Sequence, residues 1–326
     1  MELPLDLRNA LESELSSLSS RRLAGVVSEL SGRYRNNKPT SRKSFIKSRE
    51  EVNAYVAFRM PATYAAVYSA LRKVKEILPQ WNPETFMDAG AGPGTAIWAA
   101  LEVYPGLRAA TLLEREEDMI ELGMRLAKYS SSGFIQNAEW IRTDITGDWN
   151  TSSHDLITAS YVLGEIDEQH RNDFIRKLWQ VTANTLVIIE PGTPAGFSRI
   201  RQAREILVGE RALIAAPCPG NITCPIEEGN WCHFSQRVSR SRLHKQVKAG
   251  ELSYEDEKFS FIAVSRLEGR LITGRVLRHP QIRKGHIEFE ICSPDGISRK
   301  TITRKDKELY RIAKNLSWGS VFPEIE

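Results

Sequence analysis

Residues 86–100 read FMDAGAGPGTAIWAA. A short apolar strand runs into a turn of small residues, and an alanine-rich helix is expected from Thr95 to Val103. Outward from this point, strand and helix alternate. Ala109 to Leu113 reads as a strand ending at Glu114, Glu117 to Tyr129 as a helix, and Glu139 to Ile141 as a strand ending near Asp144. Asp155 to Ala159 is a further strand, and Asp167 is placed to cap a helix running to about Val181. LVIIE at residues 186–190 is an apolar strand of the buried, parallel type, stopped by Pro191 and Gly192, and Phe197 to Leu213 is helical. Alternating units of this length imply an α/β fold with a doubly wound parallel sheet.

The glycines fall at 90, 92 and 94, and Thr95 stands where the third glycine of a G-x-G-x-x-G would be. A glycine loop alone is shared by several nucleotide cofactors. Three acids narrow the reading. Asp88 stands two residues before the first glycine. Glu114, about 20 residues after the loop, is placed to accept both hydroxyls of a ribose, and Asp144 to accept from an adenine amino group. Acids on successive strand ends resemble the class I S-adenosylmethionine-dependent methyltransferases, a Rossmann-like fold, over roughly residues 84–195. Tyr161 and Glu165 are expected to line the pocket as walls rather than catalysts. The segment after the fourth strand, ASYVLGE, carries no Asn-Pro-Pro-aromatic run, and the fifth strand ends IIEPGTP without cysteine. No catalytic residue is therefore named.

The flanks differ from this core. Residues 1–82 read as a helical region, with an interruption at Pro61. Residues 83–214 form the Rossmann-like core, and residues 215–326 a Cys-bearing loop followed by a β-rich extension. FSFIAVSR, RLITGRVL and HIEFEIC are the expected strands there, with GISRKTITR as a fourth and a helix from about Lys305 to Leu316. The four cysteines of the chain are Cys218, Cys224, Cys232 and Cys292. The first three form C-x5-C-x7-C. Four thiolates on Pro/Gly-rich spacers suit a metal site, either tetrahedral zinc or an iron–sulfur cluster, and buried thiols are the third alternative. Gaps this wide plus one distant ligand suit a cubane better than a zinc knuckle. His233 is a weaker ligand candidate.

The formal net charge is +4, unevenly spread. Nine Lys/Arg face two Asp/Glu between Arg21 and Glu50, and 19 face 12 from His233 to the end. Arg33, Arg35, Arg42 and Lys43 on one flank, with Arg283, Lys284, Arg299, Lys300 and Arg304 on the other, are candidates for phosphate contact. No apolar run approaches the roughly 18 residues a membrane span needs, so no membrane partner is expected. MELPLDLRNALESEL is acidic and lacks an apolar signal core, so the expectation is a cytoplasmic protein, bacterial rather than organellar. A monomer is the expected state.

Six segments, AYVAFRMPATYAAVYSAL, MDAGAGPGTAIWAA, APCPGNITCPI, NWCHFSQRVSRSRLHK, YEDEKFSFIAVSR and ICSPDG, carry a more specific resemblance. From about residue 50 to the C-terminus the chain resembles the methyltransferase-like proteins of the small ribosomal subunit. That resemblance implies S-adenosylmethionine at Gly90, Gly92 and Gly94, and a [4Fe–4S] cluster on Cys218, Cys224, Cys232 and Cys292. It also implies action on the small ribosomal subunit or its rRNA, as an rRNA methyltransferase or as a non-catalytic assembly factor using the cluster structurally or as an iron sensor. Relatives often read Cys-Pro-His at the first ligand. This chain reads Cys218-Pro219-Gly220, which removes the histidine expected beside it.

Overall fold

The computed structural model describes residues 1–16, 25–26, 49–239 and 253–323. Two helices come first, α1 (Leu5–Leu15) and α2 (Arg49–Ile77). The alternating region then gives β1 (Thr85–Ala89), α3 (Thr95–Val103), β2 (Ala109–Glu114), α4 (Glu117–Ala127), α5 (Gly133–Gln136) and β3 (Glu139–Arg142). It continues with β4 (His154–Ser160), α6 (Glu168–Gln180), β5 (Thr182–Pro191), α7 (Pro194–Gly209) and β6 (Leu213–Ala216). The last part adds β7 (Phe234–Ser239), β8 (Tyr254–Ser265), β9 (Gly274–Val276), β10 (Gln281–Arg283), β11 (His286–Ser293), β12 (Gly296–Thr303), α8 (Lys307–Ala313) and β13 (Val321–Phe322).

The main sheet runs β3-β2-β1-β4-β5-β8-β6, with β7 also on β8. β1 to β5 are mutually parallel, whereas β8 is antiparallel to β5 and to β6. This strand order, with a single reversed strand inserted beside β5, is that of the class I S-adenosylmethionine-dependent methyltransferase fold.

Each buried strand feeds two cores. Phe86, Leu112, Leu156, Val187 and Ile189 point to one face. Met87, Leu113, Ile157, Leu186 and Ile188 point to the other. This is the period-2 alternation of a sheet covered on both sides. On the first face α2 buries Tyr64, Val67, Leu71 and Val74, each contributing about 1.5–3 kcal/mol of transfer free energy. The second face takes Ile175 and Leu178 of α6 and Ala203 and Leu207 of α7.

Several expectations are corrected. α2 runs unbroken through Pro61. A proline removes one helical hydrogen bond, but Met60, Ala62 and Tyr64 around it are buried, so tertiary packing holds both halves in line. Residues 1–82 are not a separate unit either, since Leu7, Leu11 and Leu15 share one core with Phe86 and Leu112. The boundary at 214 fails as well. FSFIAVSR, expected in the extension, is most of β8, and it pairs Thr185–Pro191 of β5 over its own Phe259–Ser265. β6 and β7, where no strand was expected, complete the other edge of β8.

Only β9 to β13 form a second sheet, in which β11 pairs with β12, β10 and β9. It has its own core of Val276, Ile287, Phe289, Ile291, Ile302 and Phe322, closed by Tyr310 and Ala313 of α8. Asp306 caps α8 by accepting from the Leu309 amide at 2.9 Å. No helix among the described residues is long and apolar enough to cross a membrane.

Candidate functional site

β1 and β4 are neighbours whose connections leave in opposite directions, which makes the cleft at their carboxyl ends the switch point of the sheet. The glycine turn lies there. Gly90, Gly92 and Gly94 have φ of 75°, 55° and 75°. A Cβ on Gly90 would stand 2.8 Å from Val162 Cγ2, and one on Gly94 3.2 Å from the Trp140 ring. Left-handed backbone and close approach both require glycine. Gly94 is also the N-cap of α3, whose first-turn amides lack helical acceptors.

Glu114 closes this turn. Its Oε2 accepts from the Gly92 amide at 2.7 Å, and its Oε1 accepts from the Arg115 and Glu116 amides, each at 2.8 Å. A carboxylate offers about four acceptor positions, so three are already used. The expected double contact with a ribose shrinks to one position. Asp88 lies beneath the loop rather than in its mouth. It is 2% exposed and accepts from Thr158 Oγ1 at 2.6 Å. Burial pushes its carboxyl up to about 7, the Thr158 hydroxyl opposes that, and the Glu114 charge adds to it.

Asp144 caps its own turn, accepting from the Thr146 amide at 2.9 Å and hydroxyl at 2.7 Å, with Arg115 3.8 Å away. Partial burial raises its carboxyl, but these partners hold it below the ordinary range. It remains half exposed at the end of β3.

Tyr161 adopts φ 62°, a conformation that costs a non-glycine residue about 1–3 kcal/mol. Its amide donates to the Ile189 carbonyl at 2.7 Å and its hydroxyl to Glu257 Oε1 at 2.7 Å. Arg59 stands over the ring at 5.0 Å and pairs with the same carboxylate at 3.3 Å. Burial, then the Glu257 charge, raises the phenol well above its usual value. The Tyr161 hydroxyl is thus committed to Glu257. Arg59 and Glu257 were missed, because nothing local in the sequence joins α2, β4 and β8.

Glu190, also missed, ends β5. It is fully buried, accepting from Arg199 Nε at 2.6 Å and the Leu163 amide at 2.9 Å. The Glu165 side chain is exposed on the turn after β4. Desolvation by the atoms packed around it, followed by the Glu114 charge, pushes its carboxyl up to about 7. Six acids therefore stand around this end of the sheet: Asp88, Glu114, Asp144, Glu165, Glu190 and Glu257. Such a site can bind and orient a cationic ligand.

The Cys loop connects β6 to β7. Cys218, Cys224, Cys232 and Cys292 all line one recess together with Phe197, Ile226 and Leu277. None is in a disulfide. Cys292 reaches the recess from β11, opposite Ile297 and Arg275. Burial pushes up the Cys218 and Cys232 thiols and takes Cys292 to about 12. Among the described residues, no group of three or more His, Cys, Asp or Glu is arranged to hold a metal ion. His233 is engaged otherwise, stacked on Trp231 at 5.5 Å and edge-on to Trp318 at 4.8 Å.

Of the basic candidates, Arg283, Lys284, Arg299, Lys300 and Arg304 are exposed on or beside the second sheet. The face is mixed, since Arg299 lies opposite Glu290, and Arg283 is 3.7 Å from Glu288. Arg33, Arg35, Arg42 and Lys43 lie outside the described residues.

The family profile described as "Mitochondrial small ribosomal subunit Rsm22" matches residues 49–323. The human protein "Ribosome assembly protein METTL17, mitochondrial" is 28% identical over 294 residues, covering 83% of this chain and 62% of that protein. "Ribosome assembly protein RSM22, mitochondrial" of Saccharomyces cerevisiae is 21% identical, covering 87% of this chain and 69% of that protein. A Schizosaccharomyces pombe "Rsm22-cox11 tandem protein 2, mitochondrial" is 26% identical, with 84% and 43% covered. The chain thus spans less than two thirds of the length of two of these three relatives. Among solved structures, magnesium protoporphyrin IX methyltransferase from Synechocystis with bound S-adenosylmethionine gives a TM-score of 0.42 at 12% identity, covering 81% of this chain and 99% of that one. The relatives are named as mitochondrial, which overturns the expectation of a bacterial cytoplasmic protein.

Proposed function

Because this chain belongs to the Rsm22 family of mitochondrial small ribosomal subunit proteins, we propose that it is a methyltransferase-like factor in assembly of the small ribosomal subunit, binding S-adenosylmethionine in the β1–β4 cleft and rRNA on its basic second sheet. The observation that carries this reading is the extent of the family match, which runs from α2 through the methyltransferase fold, the Cys loop and the second sheet. Cofactor binding is supported by three left-handed glycines, of which Gly92 donates its amide to Glu114, and by Asp88 buried in β1 just before them. The acids suit the positive sulfonium and ammonium groups of that cofactor.

Cys218, Cys224, Cys232 and Cys292 would hold a [4Fe–4S] cluster. Two observations favour this fit. All four cysteines line one recess, and the buried arginines Arg204 and Arg275 line it with them. When bound, the cluster supplies a compact anionic cross-link between the Cys loop and β11, or a centre responsive to iron and redox state.

A second reading, a scaffold that does not transfer methyl groups, is favoured by the segment after β4. There the Tyr161 hydroxyl is taken by Glu257 and the Leu163 amide by Glu190, leaving neither group to engage an acceptor. Incubation with labelled S-adenosylmethionine and small-subunit RNA from cells lacking the protein separates the two. Labelled RNA identifies an enzyme. Cofactor binding and RNA binding without label identify a scaffold. Failure to bind small-subunit RNA contradicts both.

A further inference from the structure

Arg204 and Arg275 are among the most buried cations described, 6% and 1% exposed. Both line the four-cysteine recess. Each also holds the loop that carries the cysteines. Arg204 donates from Nη2 to the Ile222 carbonyl, between Cys218 and Cys224. Arg275 donates from Nε to the Pro217 carbonyl at 2.9 Å, directly before Cys218. Its Nη1 serves Glu76 at 3.0 Å and the Gly319 carbonyl at 3.1 Å. Arg204 Nε and Arg275 Nη2 are buried and have no acceptor, and the Arg204 guanidinium also reaches the Cys218 sulfur.

A buried donor left unpaired costs about 1–3 kcal/mol, more when charged. Charge is out of balance too. Glu76 answers Arg275, and among the described residues no carboxylate is within ion-pair distance of Arg204. Lys73 adds a further cation nearby, its ammonium pushed down to about 8 by burial and then by the Arg275 charge. The matching acceptor is therefore anionic and belongs in the recess. Neutral thiols do not meet that need, because a thiol sulfur is a weak acceptor. Thiolates and sulfides bound to iron do.

We propose that Arg204 and Arg275 are positioning residues of the four-cysteine site, donating N–H hydrogen bonds to the sulfur of its anionic iron–sulfur group and holding it at a less negative reduction potential. This rests on the cluster reading above. Hydrogen bonds to cluster sulfur and nearby positive charge favour the reduced form, which carries one more electron and hence more negative charge. No bond is made or broken in that step, and in the test the electron comes from added dithionite.

The full chain is produced and purified without air, assayed for iron and sulfide, and titrated with dithionite under EPR. Arg204→Gln should keep its iron and sulfide while its one-electron equilibrium shifts at least tenfold toward the oxidised form, about 59 mV more negative. Arg204→Lys, which keeps the charge but loses the planar fork, should recover part of that shift. In wild-type protein labelled with 15N-arginine, the reduced centre should show 15N hyperfine coupling, a readout that needs no variant. An iron-replete Arg204→Gln with unchanged potential overturns the proposal, as does absence of that coupling in the iron-replete wild type. A wild type lacking iron and sulfide overturns the cluster reading itself, and this inference with it.

Discussion

The Glu114 carboxylate holds the Gly92 amide at 2.7 Å, so the end of β2 fixes the glycine turn of its neighbour β1. The acid shapes the loop first and has one acceptor position left for a ligand. Glu114→Ala removes the acceptor of three amides at once. Hydrogen bonds to a charged group contribute about 1.5–3 kcal/mol, so affinity for S-adenosylmethionine should fall at least about tenfold. Glu114→Gln should fall less, because its carbonyl can still serve Gly92. Calorimetry on both variants checks the order, and equal affinities in wild type and Glu114→Ala would contradict it.

Asp88 gives a pH dependence with a defined sign. Its carboxyl is raised from 3.8 in the unfolded chain to about 7 in the fold, with burial the leading cause. Between those values the folded state binds more protons than the unfolded state. Its contribution to stability is therefore full below about pH 4 and is lost as pH rises through 7. Asp88→Asn keeps an acceptor for Thr158 and cannot ionise. It should be more stable than wild type at pH 8, by up to a few kcal/mol, and the gap should close toward pH 4. Urea unfolding at pH 5, 6 and 8 measures this, and a gap that does not grow with pH refutes it.

The same groups bear on binding. Asp88 and Glu165 both stand near 7, and a cationic ligand beside them favours their ionised forms. S-adenosylmethionine should bind more tightly at pH 8 than at pH 6, releasing protons, while S-adenosylhomocysteine, without the sulfonium charge, should depend less on pH. Titration calorimetry in buffers of different ionisation enthalpy reads the released protons directly.

What was legible in the sequence was what local chemistry demands. Three glycines with positive φ, and acids ending β1 and β2, follow from the short run FMDAGAGPG and from strand length. Partner choice was not legible. FSFIAVSR reads as a strand, but nothing in its eight residues says that it inserts between β5 and β6. FSQRVS, which becomes β7, has only Phe234 and Val238 buried and so lacks an alternating signal. The Arg59–Tyr161–Glu257 cluster joins residues about a hundred positions apart. That the four cysteines belong to one place follows from their count and spacing, yet the two arginines that line the same recess carry no sequence signature.

Tyr161→Phe tests the wall after β4. The substitution leaves Glu257 paired with Arg59 but without its phenolic donor. A loss of about 1–3 kcal/mol is expected, read as a lower melting temperature. If Tyr161 is only a wall, cofactor affinity should change little. A large loss of RNA labelling with stability unchanged would instead give the hydroxyl a role in transfer.

The exposed cations of the second sheet should govern salt dependence. Arg299, Lys300 and Arg304 replaced together by Ala should weaken binding to small-subunit RNA and flatten the plot of log affinity against log salt. The slope should change by about 0.7–0.9 for each phosphate no longer neutralised, hence by roughly 2–3 in all. Glu288 and Glu290 lie among these cations, so Glu288→Gln should strengthen binding modestly. An unchanged slope in the triple variant would remove the second sheet from the RNA interface.

Cys292→Ser tests what the cysteine site holds together, and the architecture narrows the expected damage. The second sheet has its own core around Val276, Phe289 and Phe322, so it should not unfold when a thiol is removed. The Cys loop is different. It has β6 and β7 of the main sheet at its two ends, while Cys292 approaches from β11. A group ligated by all four sulfurs would therefore lock the second sheet against the main one. Arg275 would remain as a link, through Glu76 of α2 and the Pro217 carbonyl. Hydrogen exchange in Cys292→Ser should rise across residues 217–233 and around β9, with the β11–β12 ladder still protected. RNA affinity should drop more than cofactor affinity, because the glycine turn and Glu114 lie at the far side of β4 and β5. Loss of protection throughout β11 and β12 would show instead that the second sheet depends on the cysteine site for its own folding.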